Sequence, residues 1–296
     1  MLRLMMDHHP QIACLGEFEE AVSQAGDEGW PDVAWYRAWL TQDRAFASKR
    51  LEIDHRIDSY SELVKSLWAQ LASRTTKPIR GFCVHSRFDR LQDIWPNIRF
   101  VFLVRDPRDV APSCARMGWV GEPTRGARYW TRSTSRWLRL HESLPASRFV
   151  ELTYESLLAD LPGSLGQCCR LLGQSFDPAM LEYHRHSTYD APDPSLANRW
   201  LHHLTPRQAE LIDLQCQPMM SQYGYVSSVP VPKAPSLIER LMLARANRIG
   251  KLRWQFRRYG AFLSIAWILG SRLSVHSPVR RYVARRINAV RRRNLR

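Results

Sequence analysis

The 296-residue chain has six cysteines (Cys14, Cys83, Cys114, Cys168, Cys169, Cys216) but no Cys-x-x-Cys pair and no Cys/His cluster at ligand spacing. That excludes the common zinc-site patterns, and no metal is implied. Four of the six lie in apolar stretches, which predicts buried free thiols in a reducing compartment. The longest apolar run, Tyr259 to Leu269, falls well short of the roughly 20 residues that a spanning helix needs. The opening, Met1-Leu-Arg-Leu-Met-Met-Asp7, is too short and too early-charged for a secretory signal, so the expected location is cytoplasmic. Neither G-x-x-x-x-G-K-[ST] nor G-x-G-x-x-G occurs, so the usual phosphate-cradling loops are missing. Acid is nearly absent from residues 231–296, where Glu239 stands against 17 Lys and Arg. The net charge of +15 therefore resides in that segment, and the first 230 residues are close to neutral. A nucleic-acid footprint would have to lie in the tail alone.

With 45% hydrophobic and 24% charged residues, the rest of the chain reads as globular. Ile98–Val104 is a β-branched and aromatic run between Pro96-Asn97 and Arg105-Asp106-Pro107, which predicts a buried strand left through a polar loop. Asp106 is a helix N-cap candidate and Pro107 suits the first helical position. Further strands are expected at 79–84 and 148–153, with helices from Asp109, over 127–140 and from Tyr154 through Leu172. Trp130, Trp137 and Leu138 should share one face of the 127–140 helix, as core or as an aromatic wall for an acceptor. Strands alternating with helices argue for an α/β fold whose parallel sheet carries helices on both faces. The proline-rich break Val229–Pro235 places a boundary between residues 1–229 and a basic helical extension, 230–296.

Ligands of open α/β sheets sit beyond the carboxyl ends of the strands. Arg105 lies at such an end, and Ser113 follows eight residues later on the next helix. A guanidinium fork, a hydroxyl and a helix N-terminus would together make a phosphate clamp. The other reading is a surface Arg–Asp pair beside an ordinary helix serine.

The stretch Phe102-Leu-Val-Arg-Asp-Pro-Arg-Asp-Val-Ala-Pro-Ser113 closely resembles the 3′-phosphate-binding segment of sulfotransferases that use 3′-phosphoadenosine 5′-phosphosulfate (PAPS). Arg148–Leu157 is similar to the family's next strand, whose tyrosine approaches the nucleotide, here Tyr154. Ser187-Thr188 with Arg199-Trp200 resembles the Ser-Thr and Lys-Trp pair of tyrosylprotein sulfotransferases, with arginine in place of lysine and a shorter spacing. Leu4–Ala13 through Gly16-Glu17 resembles the helix and loop after the family's phosphosulfate loop. Val84-His85, Phe88-Asp89-Arg90-Leu91 and Pro192-Asp-Pro-Ser-Leu196 resemble segments of bacterial members. The ordered set covers residues 1 to about 225.

The resemblance implies a P-loop-like parallel sheet, PAPS as co-substrate, and a hydroxyl-bearing acceptor such as a carbohydrate, tyrosine, lipid or small molecule. It also implies nucleotide contacts from Arg105, Ser113, Tyr154, Ser187 and Arg199. The family's Arg-Ser-Gly-Thr-Thr-type loop and its preceding strand should come immediately before Leu2 and are not in the sequence. Either the true start lies upstream, or the protein holds the nucleotide by its 3′ half alone. A non-catalytic sulfotransferase-like binding protein and an adaptor acting through the tail are the rival functions.

Sulfonate transfer needs a base for the acceptor's hydroxyl proton. The glutamate eight residues after the His of His9-Pro10 is Glu17, which the resemblance to tyrosylprotein sulfotransferases makes the base; a solvated loop carboxylate is the other reading. His85, beyond the strand at 79–84, is the second catalytic candidate or a structural histidine. The tail arginines at 240, 245, 248, 253, 257 and 258 precede the apolar stretch 260–269. This pattern predicts peripheral attachment to an anionic membrane, with Phe262, Leu263, Ile265, Trp267, Ile268 and Leu269 in the interface. The alternative is an appendage whose apolar stretch packs on the body; nucleic acid ranks third.

Overall fold

The computed structural model describes residues 1–187, 190–270, 282–283 and 286–287. In chain order the elements are α1 (Leu2–His8), β1 (Ile12–Glu17), α2 (Val33–Gln42), α3 (Arg44–Lys49), α4 (Tyr60–Ala72), β2 (Ile79–Cys83), α5 (Leu91–Ile94) and β3 (Phe100–Val104). Then follow α6 (Pro107–Arg116), α7 (Ala127–Ser143), β4 (Phe149–Thr153), α8 (Tyr154–Ala159), α9 (Leu161–Leu171), α10 (Trp200–His203), α11 (Pro206–Met220) and α12 (Leu237–Gly270). Contacts divide the chain into two compact units, Met1–Val104 with Ser133–Pro194 and Arg105–Arg132 with Ser195–Arg296. The proline-rich segment at 229–235 lies inside the second.

The first unit holds the four strands found among the described residues. β1 pairs with β2 and β3 with β4, both in parallel, as two two-stranded ladders rather than one continuous sheet. Both faces are covered, and the alternation of side chains along β3 shows it. Phe100 and Phe102 join one apolar cluster, with Leu63 and Leu67 of α4 and Trp137 of α7. Val101 and Leu103 join another, with Met5 of α1 and Leu165 and Cys168 of α9. Successive side chains of a strand point to opposite faces, so a run apolar at every position needs helices on each. Trp137 stacks on Phe102 with ring centroids 4.4 Å apart. Trp137 is buried, so it is core and not an acceptor wall. Leu140, rather than the half-buried Leu138, joins Trp137 in that core.

Two local expectations are corrected. Residues 12–17, expected as a loop, form β1; Ile12 packs into the second cluster and Leu15 into the first. The helix expected from Tyr154 through Leu172 is two, because Asp160 leaves helical geometry and caps α9 by accepting from the amide of Gly163 at 2.9 Å.

In the second unit, Arg108 of α6 is buried and holds Asp106 through two guanidinium contacts of 2.9 and 2.7 Å. It also donates to the carbonyl of Val226 (2.9 Å) and lies 3.9 Å from the Trp200 ring centroid. α11 begins with a reciprocal cap between Thr205 and Gln208. α12 packs through small residues: a Cβ on Gly250 would lie 1.9 Å from the carbonyl oxygen of Gly121. Gly260 (φ 79°) kinks α12. No helix among the described residues is long and apolar enough to cross a membrane.

Candidate functional site

β3 ends at Val104, and the polar turn expected there carries the chain into α6. Asp106 caps the helix as its type predicts, its carboxylate accepting from the amide of Arg108 at 2.8 Å. Its own carbonyl accepts from the amides of Asp109 and Val110, and Pro107 has no N–H. Every amide of the first turn is thus used internally. The expectation that this helix N-terminus would offer amides to a phosphate is corrected: the anion seated there is the protein's own carboxylate.

The positive charge lies on the flank of α6 instead. A cavity of about 240 Å³ is lined by Arg105, Asp109, Arg116, Arg199, Trp200 and His203, with Pro112 and Leu196. Arg105 donates to the carboxylate of Asp109 at 3.1 Å and to the carbonyl of Leu196. Asp109 is buried, and its second oxygen accepts from the amide of Trp200 at 2.8 Å. One carboxylate therefore fastens the Arg105 fork and closes the 196–200 segment over the helix. Three guanidiniums against one committed carboxylate leave the cavity cationic. The indole N–H of Trp200 is buried with no acceptor among the described residues. Pockets that enclose a whole drug-sized ligand run to roughly 300–1,000 Å³, so this one suits a phosphate with part of a sugar.

The cavity brings together two of the expected nucleotide contacts, Arg105 and Arg199. Ser113 is not in its lining; it lies on α6 one turn beyond Asp109. Tyr154 opens α8, behind the Thr153 cap, and Ser187 follows the 3-10 turn Pro178–His186; both belong to the first unit. Thr188 lies outside the described residues. Sequence reasoning missed Asp109, Arg116 and His203. Asp109 had a legible signal, four residues after Arg105 and so on the same side of a helix.

In the first unit, the two acid–base candidates are partners. Glu17 ends β1 and His85 follows β2; parallel pairing of these strands, with Glu17 opposite Cys83, carries both to the same edge. His85 Nε2 lies 3.3 Å from Glu17 Oε1, and both side chains are exposed. The hydrogen bond from His85 holds the Glu17 carboxyl below its ordinary range. The same contact raises the His85 imidazole above its ordinary value. Glu19 anchors the loop by accepting from the His85 amide and from Ser86 Oγ. His9, by contrast, is a buried anchor: its Nδ1 accepts from the Gln11 amide at 3.0 Å and its Nε2 donates to the carbonyl of Ser175 at 2.9 Å.

Parallel strands flanked by helices define an α/β protein, whose second unit carries a cationic cavity beside α6. The family model described as the sulfotransferase family matches residues 1–178, and the chain belongs to that family. The fold is similar to a sulfotransferase domain from the curacin biosynthetic pathway, with a TM-score of 0.54 and 18% identity over 76% of this chain and 93% of that one. It is also similar to the sulfotransferase domain from the Synechococcus PCC 7002 olefin synthase, with a TM-score of 0.53 and 19% identity over 76% and 90% of the two chains. No curated protein matches the chain by sequence.

Proposed function

We propose that this sulfotransferase moves a sulfonate group from PAPS to a hydroxyl acceptor. The observation that carries the reading is the cavity at α6. Its three arginines, and an Arg105 fork aligned by buried Asp109, suit the 3′-phosphate that distinguishes PAPS from simpler adenine nucleotides. Arg105 and Arg199 would bind that phosphate, and the unpaired indole N–H of Trp200 would find an acceptor in the nucleotide. Ser113, Tyr154 and Ser187 would support the nucleotide as the resemblance implies.

Glu17 and His85 would act as one acid–base unit. Glu17, ionised, orients the imidazole through Nε2, and His85 Nδ1 receives the acceptor's hydroxyl proton. The acceptor oxygen bonds to sulfur as the bond from sulfur to the departing phosphate oxygen breaks. The raised basicity of His85 and the depressed basicity of Glu17 favour the imidazole as the group that keeps the proton. Calorimetry against 3′,5′-ADP and 5′-AMP, together with a radiolabelled-sulfonate assay over carbohydrate, tyrosine, lipid and small-alcohol acceptors, tests the reading. Preference for 3′,5′-ADP with transfer to one acceptor class is expected; equal affinity for both nucleotides overturns it.

A further inference from the structure

α12 is amphipathic in an unusual sense, because the face turned away from the protein is also apolar. Its inner face is fixed to the second unit at four levels. Glu239 accepts two bonds from Arg207 (both 2.8 Å), and Asn247 Oδ1 accepts from the amide of Gly121 at 2.7 Å. Gly250 abuts Gly121, and the indole of Trp254 donates to the carbonyl of Arg116 at 2.8 Å. A helix held this firmly presents a defined outer face. There Leu237, Ile238, Leu241, Met242, Leu252 and Phe256 are exposed, Leu241 by 71% and Met242 by 66%. At about 100° per residue these positions fall in one stripe.

Arg245 and Arg248 lie within the stripe, Lys251 and Arg253 border it, and Arg240, Arg257 and Arg258 are exposed elsewhere on the same helix. Over 237–258 these seven basic side chains meet one acid, Glu239, and it is spent on Arg207. We propose that the outer face of α12 from Leu237 to Phe256 is a docking surface for an anionic lipid bilayer, with the helix lying along it. The apolar stripe would enter the acyl boundary while the long arginine side chains reach back to the phosphate level. Twenty helical residues span about 30 Å, enough for several lipid headgroups in a row. A second copy of the chain would bring the same positive face against this one, and a nucleic acid would leave the apolar stripe in water. An anionic bilayer satisfies both halves.

This differs from the sequence-based expectation, which put the membrane contact at 260–269. There Leu263 and Trp267 pack with Tyr259, Val283 and Ile287 in a small cluster of their own, leaving Phe262, Ile265 and Leu269 as the exposed apolar side chains.

The experiment is co-sedimentation of the full chain with phosphatidylcholine vesicles, with and without phosphatidylglycerol, at low and high salt. Two triple variants accompany it, Leu241→Gln/Met242→Gln/Leu252→Gln and Arg245→Gln/Arg248→Gln/Arg253→Gln. Both keep the basic residues beyond 270, and all six positions are exposed. The parent should bind only the phosphatidylglycerol vesicles and lose binding as salt rises. Each variant should bind about ten-fold more weakly or worse, with unchanged thermal unfolding. Unchanged binding by the apolar variant overturns the proposal, as does equal binding of the parent to neutral vesicles. A parent dimer that the apolar variant converts to a monomer overturns it too, since a second copy would then be the occupant.

Discussion

The Asp109 carboxylate holds the Arg105 guanidinium at 3.1 Å from one oxygen and the Trp200 amide at 2.8 Å from the other. Because Asp109 is buried, this pairing is little screened, and it sets the direction of the Arg105 fork. An arginine that follows a strand and is fixed by its own helix is pre-organised for a bidentate partner.

Arg105→Ala should therefore remove the preference for 3′,5′-ADP over 5′-AMP, at a cost of roughly 1.5–3 kcal/mol, or about ten- to a hundredfold in Kd. Asp109→Asn should weaken 3′,5′-ADP binding with Arg105 intact, because the fork loses its charged partner. Calorimetry with both nucleotides reads each effect; an Asp109→Asn protein that binds as tightly as the parent removes Asp109 from this role.

In the proposed proton transfer, His85→Gln should lower turnover by about two to four orders of magnitude, and Glu17→Gln by less. A larger loss in Glu17→Gln would return the base to the carboxylate. Initial rates under saturating donor make the comparison.

The pH dependence follows from the same contact. A histidine raised by a carboxylate loses its proton above its ordinary value near 6.5, so activity that needs neutral His85 should rise with pH through a limb above that value. Glu17→Gln removes the raising partner and should move the limb down toward 6.5. The pair's small stabilisation has the opposite dependence on the histidine side, being present at low pH and lost as pH rises through the raised value. On the Glu17 side it is lost as pH falls through the lowered one. Histidine ring NMR, followed against pH in parent and variant, checks both signs.

Cys14 and Cys83 lie on paired strands with their sulfurs 4.0 Å apart. The sulfur–sulfur contact with Cys14 lowers the Cys83 thiol, while burial pushes Cys114 up to about 11 and Cys168 to about 12. Alkylation near pH 7 should label Cys83 ahead of Cys114 and Cys168, and Cys14→Ala should slow it. Peptide mass spectrometry at timed intervals would show the order.

Asp213 is wholly buried on α11, accepts from the Ser228 amide at 2.7 Å and faces Arg108 at 3.7 Å. Asp213→Ala should cost about 3–5 kcal/mol, since buried Arg108 loses one carboxylate and keeps Asp106 and the charge of Asp109. Tm should fall by about 10 °C in calorimetric scans. A shift of one or two degrees would mean that the remaining carboxylates satisfy the arginine.

Much of this architecture is local chemistry and could be read without coordinates. The β-branched run before Arg105, the Asp106-Pro107 cap and the Thr153 boundary each declare themselves within a few residues, because strand burial and helix capping are decided by near neighbours. The family follows from ordered motifs. The strand at 12–17 was hidden because Ile12-Ala-Cys-Leu-Gly-Glu17 carries a single β-branched residue and an interior glycine, a weak strand pattern. The break at Asp160 was legible but overlooked, since an Asp cap followed by Pro162 in the first turn marks a new helix start.

Tertiary structure alone decided three things. It joined Glu17 to His85 across 68 residues, because parallel pairing of β1 and β2 aligns the ends of segments that no sequence spacing relates. It closed Arg199 and His203 over α6, because the buried Asp109 carboxylate binds the Trp200 amide. It turned the apolar positions of 237–256 outward, because the inner face of α12 is taken by Asn247, Gly250 and Trp254. A sequence shows which side chains are apolar or charged; which neighbour buries or pairs with each depends on contacts between segments far apart in the chain.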